Sequence, residues 1–240
     1  MPPTRSKPWL PYVVPMALYM AFLAVQTDGN LIWMYPLKTV VVAVALWVFR
    51  KRYEELRSGM WCGGAASGDA AHNAATTTTA SGALALQSWG LAVIIGLVAI
   101  VIWIGIDPFY AKFGRVVPFD PTTIASLAER NVFIAFRIVG AVLVVPVMEE
   151  LFWRAFLIRW LVNEDFKSVA VGTFTLSSFA ITVALFGAEH YQWLAGLICG
   201  ALYNWLYYKR RDVFACVVAH AVSNAALAAW VLARGDWKFW

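Results

Sequence analysis

The sequence predicts an all-α fold, a polytopic transmembrane bundle of seven or eight helices. Three observations predict it. Of the 240 residues, 61% are hydrophobic and only 14% charged, whereas soluble domains are about half apolar and a quarter charged. The mean hydropathy is +0.66. Uncharged apolar runs of about 20 residues, the length that crosses a bilayer, recur along the chain. Lipid offers the backbone no hydrogen bonds, so a span must be a helix or part of a closed barrel. A soluble globular domain, a disordered chain and a secreted disulfide scaffold are thereby excluded. One membrane-embedded domain over residues 1–240 is the simplest organisation.

The runs justify the elements in order. Arg5 and Lys7 precede the first, about Trp9 to Gln26. No small-x-small cleavage site follows it, so it reads as a retained helix rather than a signal peptide. The second covers about Leu31 to Phe49 and ends in Arg50-Lys51-Arg52. Ser58 to Ser88 is rich in Gly, Ala and Thr and reads as a mobile loop. The third run covers about Leu86 to Ile106, and Pro121 to Arg130 can open a further helix after the Asp120-Pro121 break. The fourth, about Val132 to Trp160, contains Pro146 and is either one long kinked helix or a span followed by a shorter helix. The fifth covers about Val169 to Phe186 and the seventh about Val213 to Ala233. The sixth, about Trp193 to Tyr208, carries Gly196-x-x-x-Gly200, a spacing that lets helices approach closely.

With seven spans and the N-terminus inside, twelve Lys and Arg fall on the inner side and five on the outer. That bias predicts a cytoplasmic N-terminus. It also accounts for the net charge of +5 without nucleic acid. Trp9, Trp33, Trp89, Trp193 and Trp240 sit near run ends, as an interfacial belt requires. Cys62, Cys199 and Cys216 form neither a disulfide framework nor a paired metal motif.

Ionisable groups inside lipid cost roughly 3 kcal/mol or more each and are functional candidates by default. Three clusters qualify. In Glu149-Glu150-x-x-x-Arg154, Glu150 and Arg154 share a helix face and can pair, while Glu149 points about 100° away. In Phe186-x-x-x-His190, a histidine closes the fifth run beside Glu189. In His220-x-x-x-Asn224, both side chains project from one face of the seventh. Each alone is explained by buried pairing or interhelical hydrogen bonds. Together they place a carboxylate, two imidazoles and a carboxamide where they can converge on one polar cavity. A buried carboxylate can deprotonate a water. The imidazoles of His190 and His220 can hold Zn²⁺ or donate to an oxyanion, and Asn224 can donate to the developing negative charge. Such a site would hydrolyse a peptide bond.

At these residues the chain resembles the CAAX-protease and bacteriocin-processing family (CPBP, also called Abi) of intramembrane endopeptidases. The resemblance covers about Val132 to Ala229 and rests on the order Glu149-Glu150-Leu151-Phe152-Trp153-Arg154, Phe186 to His190, His220 to Asn224. It implies an endopeptidase, glutamate-dependent or a metalloprotease, acting on a membrane-associated protein or peptide. Glu149 would activate the water, with His190, His220 and Asn224 completing the site. Glu150, Arg154 and Phe186 would support it. The opening half resembles a bacterial branch of the family associated with exosortase systems, which implies a bacterial inner membrane.

One tension remains in this topology. His190 follows the fifth span and would lie toward the outside, whereas Glu149 and His220 fall in the cytoplasmic halves of theirs. Convergence requires the fifth or sixth helix to be short, tilted or interrupted near Gly187. Three other readings compete: a cysteine transpeptidase built on Cys216, four residues before His220; a transporter using the carboxylates as proton relays; and a non-enzymatic immunity or scaffold protein that keeps the polar cluster for packing. HExxH and GxSxG are missing from the sequence.

Overall fold

The computed structural model describes residues 7–27, 29–56, 77–112, 114 and 118–240, with backbone alone for 77–88. Every regular element among the described residues is helical. Seven principal helices follow in order: α1 Leu10–Val25, α2 Leu31–Phe49, α3 Thr77–Gly105, α4 Leu127–Trp160, α5 Leu176–Ala188, α6 Trp193–Arg210 and α7 Val213–Arg234. The segments Leu31–Arg52, Leu127–Trp160 and Val213–Arg234 are long and apolar enough to cross a membrane by length and composition. Trp47, Val101 and Leu176 are exposed on the outside of the bundle, where an integral membrane protein meets lipid tails.

The elements begin and end where local chemistry dictates. The Thr175 side chain accepts from Ser178 N and caps α5; Asp212 accepts from Phe214 N and caps α7. Gly235, left-handed at φ 65°, closes α7. Helix α3 starts at Thr77, inside the stretch expected to be a loop; residues 58–76 of that stretch lie outside the described residues. The fifth helix is shorter than its apolar run. Gly172, at φ 82°, turns the chain, and helix begins only after Thr175.

Of the two alternatives for the fourth run, the structure has one continuous 34-residue helix. It is not uniform. Gly140–Val144 and Leu151–Leu157 are π-helical, and the short α segment Val145–Glu150 between them carries Glu149 and Glu150. π-turns inside α-helices concentrate at functional sites. Pro146 contributes to the first, because it has no N–H to return to the preceding turn.

Helix α7 lies along α3, α5 packs against α6, and α1 against α2. The α5–α6 contact is backbone-close. A Cβ on Gly196 would stand 3.0 Å from Gly187 Cα, and one on Gly200 3.1 Å from the Phe186 ring. The small-residue spacing in α6 therefore admits the end of α5.

Ionic clusters tie the bundle at both ends. At one, Glu55 Oε1 accepts from Arg159 Nη1 at 2.6 Å and Lys167 Nζ at 3.1 Å, while Tyr12 OH donates to Oε2 at 2.9 Å. Burial pushes the Glu55 carboxyl up, but its hydrogen bonds and the Lys167 charge outweigh this and hold it below the ordinary value. At the other, Asp107 takes Gln192 Nε2 at 2.9 Å and Lys238 Nζ at 3.0 Å, with Lys112 also paired to it. Arg154 and Arg159, two of the twelve residues assigned to the inner side, are buried in the bundle instead of lying in loops.

Candidate active site

The short α5 resolves the tension over His190. Thirteen residues rise only roughly 20 Å, against roughly 30 Å of hydrocarbon, so α5 is too short to cross a bilayer. Glu149 lies eleven residues before the end of α4, roughly 16 Å from it by the same rise. His190 and Glu149 therefore reach similar depth from opposite chain directions.

Glu149, His190, His220 and Asn224 all line one cavity of about 320 Å³, together with Tyr19, Trp103, Phe186 and Tyr203. A volume of this order accommodates a small ligand or a short stretch of peptide. Phe186 forms one wall. Its ring lies 4.8 Å from that of His190 and 6.4 Å from that of His220, and the Arg154 guanidinium stacks on it at 4.8 Å.

The polar atoms divide into two groups. The first is centred on Glu150, whose Oε1 accepts from Arg154 Nη1 at 3.0 Å and from His220 Nδ1 at 2.9 Å, while its Oε2 has no partner among the described residues. Arg154 Nε donates to Asn204 Oδ1 at 3.1 Å, and Asn204 Nδ2 to Thr182 Oγ1 at 2.9 Å. Tyr203 stacks on the His220 ring at 5.3 Å and hydrogen-bonds Ser223. This network pins four helices, and it fixes the His220 tautomer. A carboxylate only accepts, so Nδ1 carries the proton facing Glu150 and Nε2 is left free.

The second group is Glu149, Glu189 and His190. One ligand atom from each lies within 4.8 Å of the others. Glu149 is 5% exposed, and its Oε2 is buried without a hydrogen-bond partner among the described residues. His190 Nδ1 donates to the Phe186 carbonyl at 2.6 Å, which again leaves Nε2 free. The Trp103 ring meets His190 edge-on at 5.3 Å, and its Nε1 donates to Gln192, which is itself held by Asp107.

Asn224 has a double position. It lines the cavity, and its Nδ2 donates to the Ala141 carbonyl at 2.8 Å. At π spacing the N–H due to Ala141 would come from Pro146, which has none. The Asn224 amide replaces it, and that bond orients the amide with its second N–H still to give.

Glu189 is the residue that sequence reasoning passed over. It was visible as a carboxylate beside His190, but its partner Glu149 is forty positions away and no spacing rule connects them. The ligand cluster also differs from the His190–His220 pair considered from sequence. The groups brought together are Glu149, Glu189 and His190, while His220 gives its Nδ1 to Glu150. Cys216 is buried with its thiol against the Tyr203 and Asp212 carbonyls and is not among the cavity-lining residues.

Residues 131–226 match the family model of the type II CAAX prenyl endopeptidases, Rce1-like. The match runs from α4 into α7 and contains all three motifs and the cavity residues they supply. Over that segment the chain is similar to CAAX-type membrane proteases, and the long apolar helices fit an integral membrane protein. No curated protein and no solved structure gives a match. Helices α1 to α3 lie outside the matched segment.

Proposed function

We propose that the protein is an intramembrane endopeptidase in which Glu149 activates the hydrolytic water. The observation that carries this reading is the Glu149 carboxylate, which is buried, lines the cavity as Glu150 does not, and has no partner for Oε2 among the described residues. A carboxylate kept unpaired in a low-dielectric site is costly as structure and useful as a base.

The steps follow from the donors present. Glu149 takes a proton from water as the oxygen attacks the scissile carbonyl. The tetrahedral oxyanion receives the second N–H of Asn224, whose first is committed to Ala141. His220, held by Glu150, keeps Nε2 available on the same cavity for proton exchange. Glu149 then returns its proton to the departing amine, and the C–N bond breaks. His190 and Glu189 hold the water from the other side.

A metal-assisted variant has a specific observation behind it. Two carboxylates and an imidazole within 4.8 Å are a donor set that suits Zn²⁺, with His190 Nδ1 bound to a backbone carbonyl as metal-ligating histidines commonly are. A bound ion would supply Lewis-acid polarisation and a more acidic water. Glu149, Glu189 and His190 would hold it. The N-terminus is assigned to the cytoplasmic side from the Lys and Arg distribution.

The test is cleavage of a library of membrane-anchored peptides by purified protein in vesicles, read by mass spectrometry. Wild type should cut and Glu149→Gln should lose at least about 100-fold, the usual worth of a positioned base. Metal analysis of the same preparation, with chelator treatment, separates the glutamate-only from the metal-assisted form. A wild type inert on every peptide, yet able to protect cells or bind a partner, would establish the scaffold reading instead.

A further inference from the structure

Residues 189–192 join α5 to α6 and carry Glu189 and His190, two of the three members of the reactive group. The turn ends at Gln192, the N-cap residue of α6, yet its side chain caps nothing. The buried amide is spent across the bundle instead. Its Nε2 donates to Asp107 Oδ1 at 2.9 Å, and its Oε1 accepts from Trp103 Nε1 at 2.5 Å. Both partners belong to the end of α3: Trp103 stands in its last turn and Asp107 just beyond it.

Chemistry fixes the polarity of this chain of bonds. An indole N–H only donates, and an ionised carboxylate only accepts. The Gln192 amide therefore has one orientation that serves both, oxygen toward Trp103 and nitrogen toward Asp107. Asp107 is itself paired with Lys238 at 3.0 Å and Lys112 at 3.2 Å, so two cations hold the carboxylate at the head of the chain. At the other end the Trp103 ring meets the His190 imidazole with centroids 5.3 Å apart and planes at 78°.

His190 has use for that neighbour. Its Nδ1 bond to the Phe186 carbonyl holds the ring at one atom, and a ring held at one atom can still pivot. The Trp103 and Phe186 rings packed against it take up that freedom. A reacting group displaced by about 1 Å loses roughly 100-fold in rate, so the support of such a ring matters as much as its identity. Trp103 lines the cavity; Gln192 and Asp107 are not among its lining residues. Trp103 and Asp107 also lie outside residues 131–226, so this support comes from beyond the segment matched to the family.

Building on the endopeptidase reading, we infer that Asp107, Gln192 and Trp103 are positioning residues for His190. Asp107 orients the Gln192 amide, the amide holds the Trp103 ring, and the ring keeps His190 in the orientation that leaves Nε2 to the cavity. A second tie joins the same two segments through other atoms: Trp193 Nε1 donates to the Ala111 carbonyl at 2.8 Å. It supplies the control.

The experiment compares wild type, Gln192→Met, Trp103→Phe, their double variant and Trp193→Phe in vesicles, on a membrane-anchored peptide that wild type cuts. Gln192→Met keeps the length of the side chain and removes both hydrogen bonds. Its kcat should fall about tenfold or more while KM stays within about twofold, because Gln192 does not meet the substrate. Trp103→Phe keeps a ring without its N–H and should lose less. The double variant should be no worse than Gln192→Met, since both changes break one link. Trp193→Phe should lower Tm and leave kcat per folded molecule unchanged. NMR of the imidazole nitrogens in isotope-labelled protein, with the His190 signals assigned by their loss in His190→Ala, reads the ring itself. Wild type should show a protonated Nδ1 and a bare Nε2 well separated in shift, and Gln192→Met should draw the two together as the tautomers mix. Trp103→Phe reads the same change should Gln192→Met fail to accumulate. An unchanged kcat with a wild-type histidine spectrum would overturn the proposal and leave the chain a structural tie. So would a rise in KM alone, or a loss of kcat in Trp193→Phe equal to that in Gln192→Met. The spectrum needs no turnover, so it decides the role of the chain even if no peptide is cut, and failure of cleavage alone counts against the endopeptidase reading.

Discussion

Glu149 and Glu150 occupy consecutive positions on α4, both buried, and they keep different company. Glu150 is 0% exposed and receives Arg154 and His220 on a single oxygen, its other oxygen having no partner among the described residues. Glu149, about 100° away round the helix, lines the cavity with no hydrogen bond to its carboxylate among the described residues and with Glu189 and His190 close by. The difference teaches how one short segment serves two ends. The paired carboxylate organises four helices, and the unpaired one is left to act. The two π-turns that bracket Val145–Glu150 hold both glutamates in place.

Several substitutions can break or sharpen that contrast. The largest expected effect is on folding. Glu150→Ala removes the acceptor for Arg154 and His220 and leaves a guanidinium buried without its counter-charge. Breaking such a pair costs about 3–5 kcal/mol, so thermal melts in detergent should show a collapse in Tm or failure to accumulate. A melt close to wild type would dissolve the distinction between the two residues.

Asn224→Ala should come next. It frees the Ala141 carbonyl that Pro146 cannot serve, at about 1–3 kcal/mol, and removes an oxyanion donor as well. A melt together with a cleavage assay should show both losses. Loss of activity with an unchanged melt would mean that the bond to Ala141 carries no weight.

Glu189→Gln sharpens the unpaired side. It should lower cleavage by roughly tenfold or more while leaving Tm within a few degrees, since Glu189 belongs to the reactive group and not to the Glu150 network. If a metal is held there, the variant should also lose metal content on elemental analysis.

How much of this was legible in the sequence depends on the distance over which each feature is decided. The pairs Glu150–Arg154, Phe186–His190 and His220–Asn224 were readable because four residues return a side chain to the same helix face. The helical bundle was readable from apolar runs, and the second and seventh helices begin where their runs do. The length of α5 was not, because Val169 and Val171 extend the apolar run past a turn set by Gly172 and the cap at Thr175. That turn is what brings His190 to the depth of Glu149. The Glu149–Glu189 approach and the Trp103–His190 contact are tertiary facts, invisible to any local pattern. The two π-turns were hidden for the same reason, with Pro146 the only local sign of the first.

The smallest expected effect lies at the ionic cluster far from the cavity. The Glu55 carboxyl is held below its ordinary value, so its contribution to stability is present above that value and lost as pH falls through the folded one. Melts between neutral and acid pH should show Glu55→Gln already destabilised at neutral pH and less sensitive to acid than wild type. Parallel curves for the two would remove Glu55 from the acid limb.

The division of labour between the two adjacent glutamates is tested most directly by one paired measurement. Glu149→Gln and Glu150→Gln are reconstituted side by side, and cleavage rate and Tm are taken on the same vesicles. Glu149→Gln should keep the wild-type Tm and lose cleavage by at least about 100-fold, while Glu150→Gln should lower Tm, with activity falling in step with the folded fraction. Cleavage retained in Glu149→Gln would contradict the role assigned to that carboxylate.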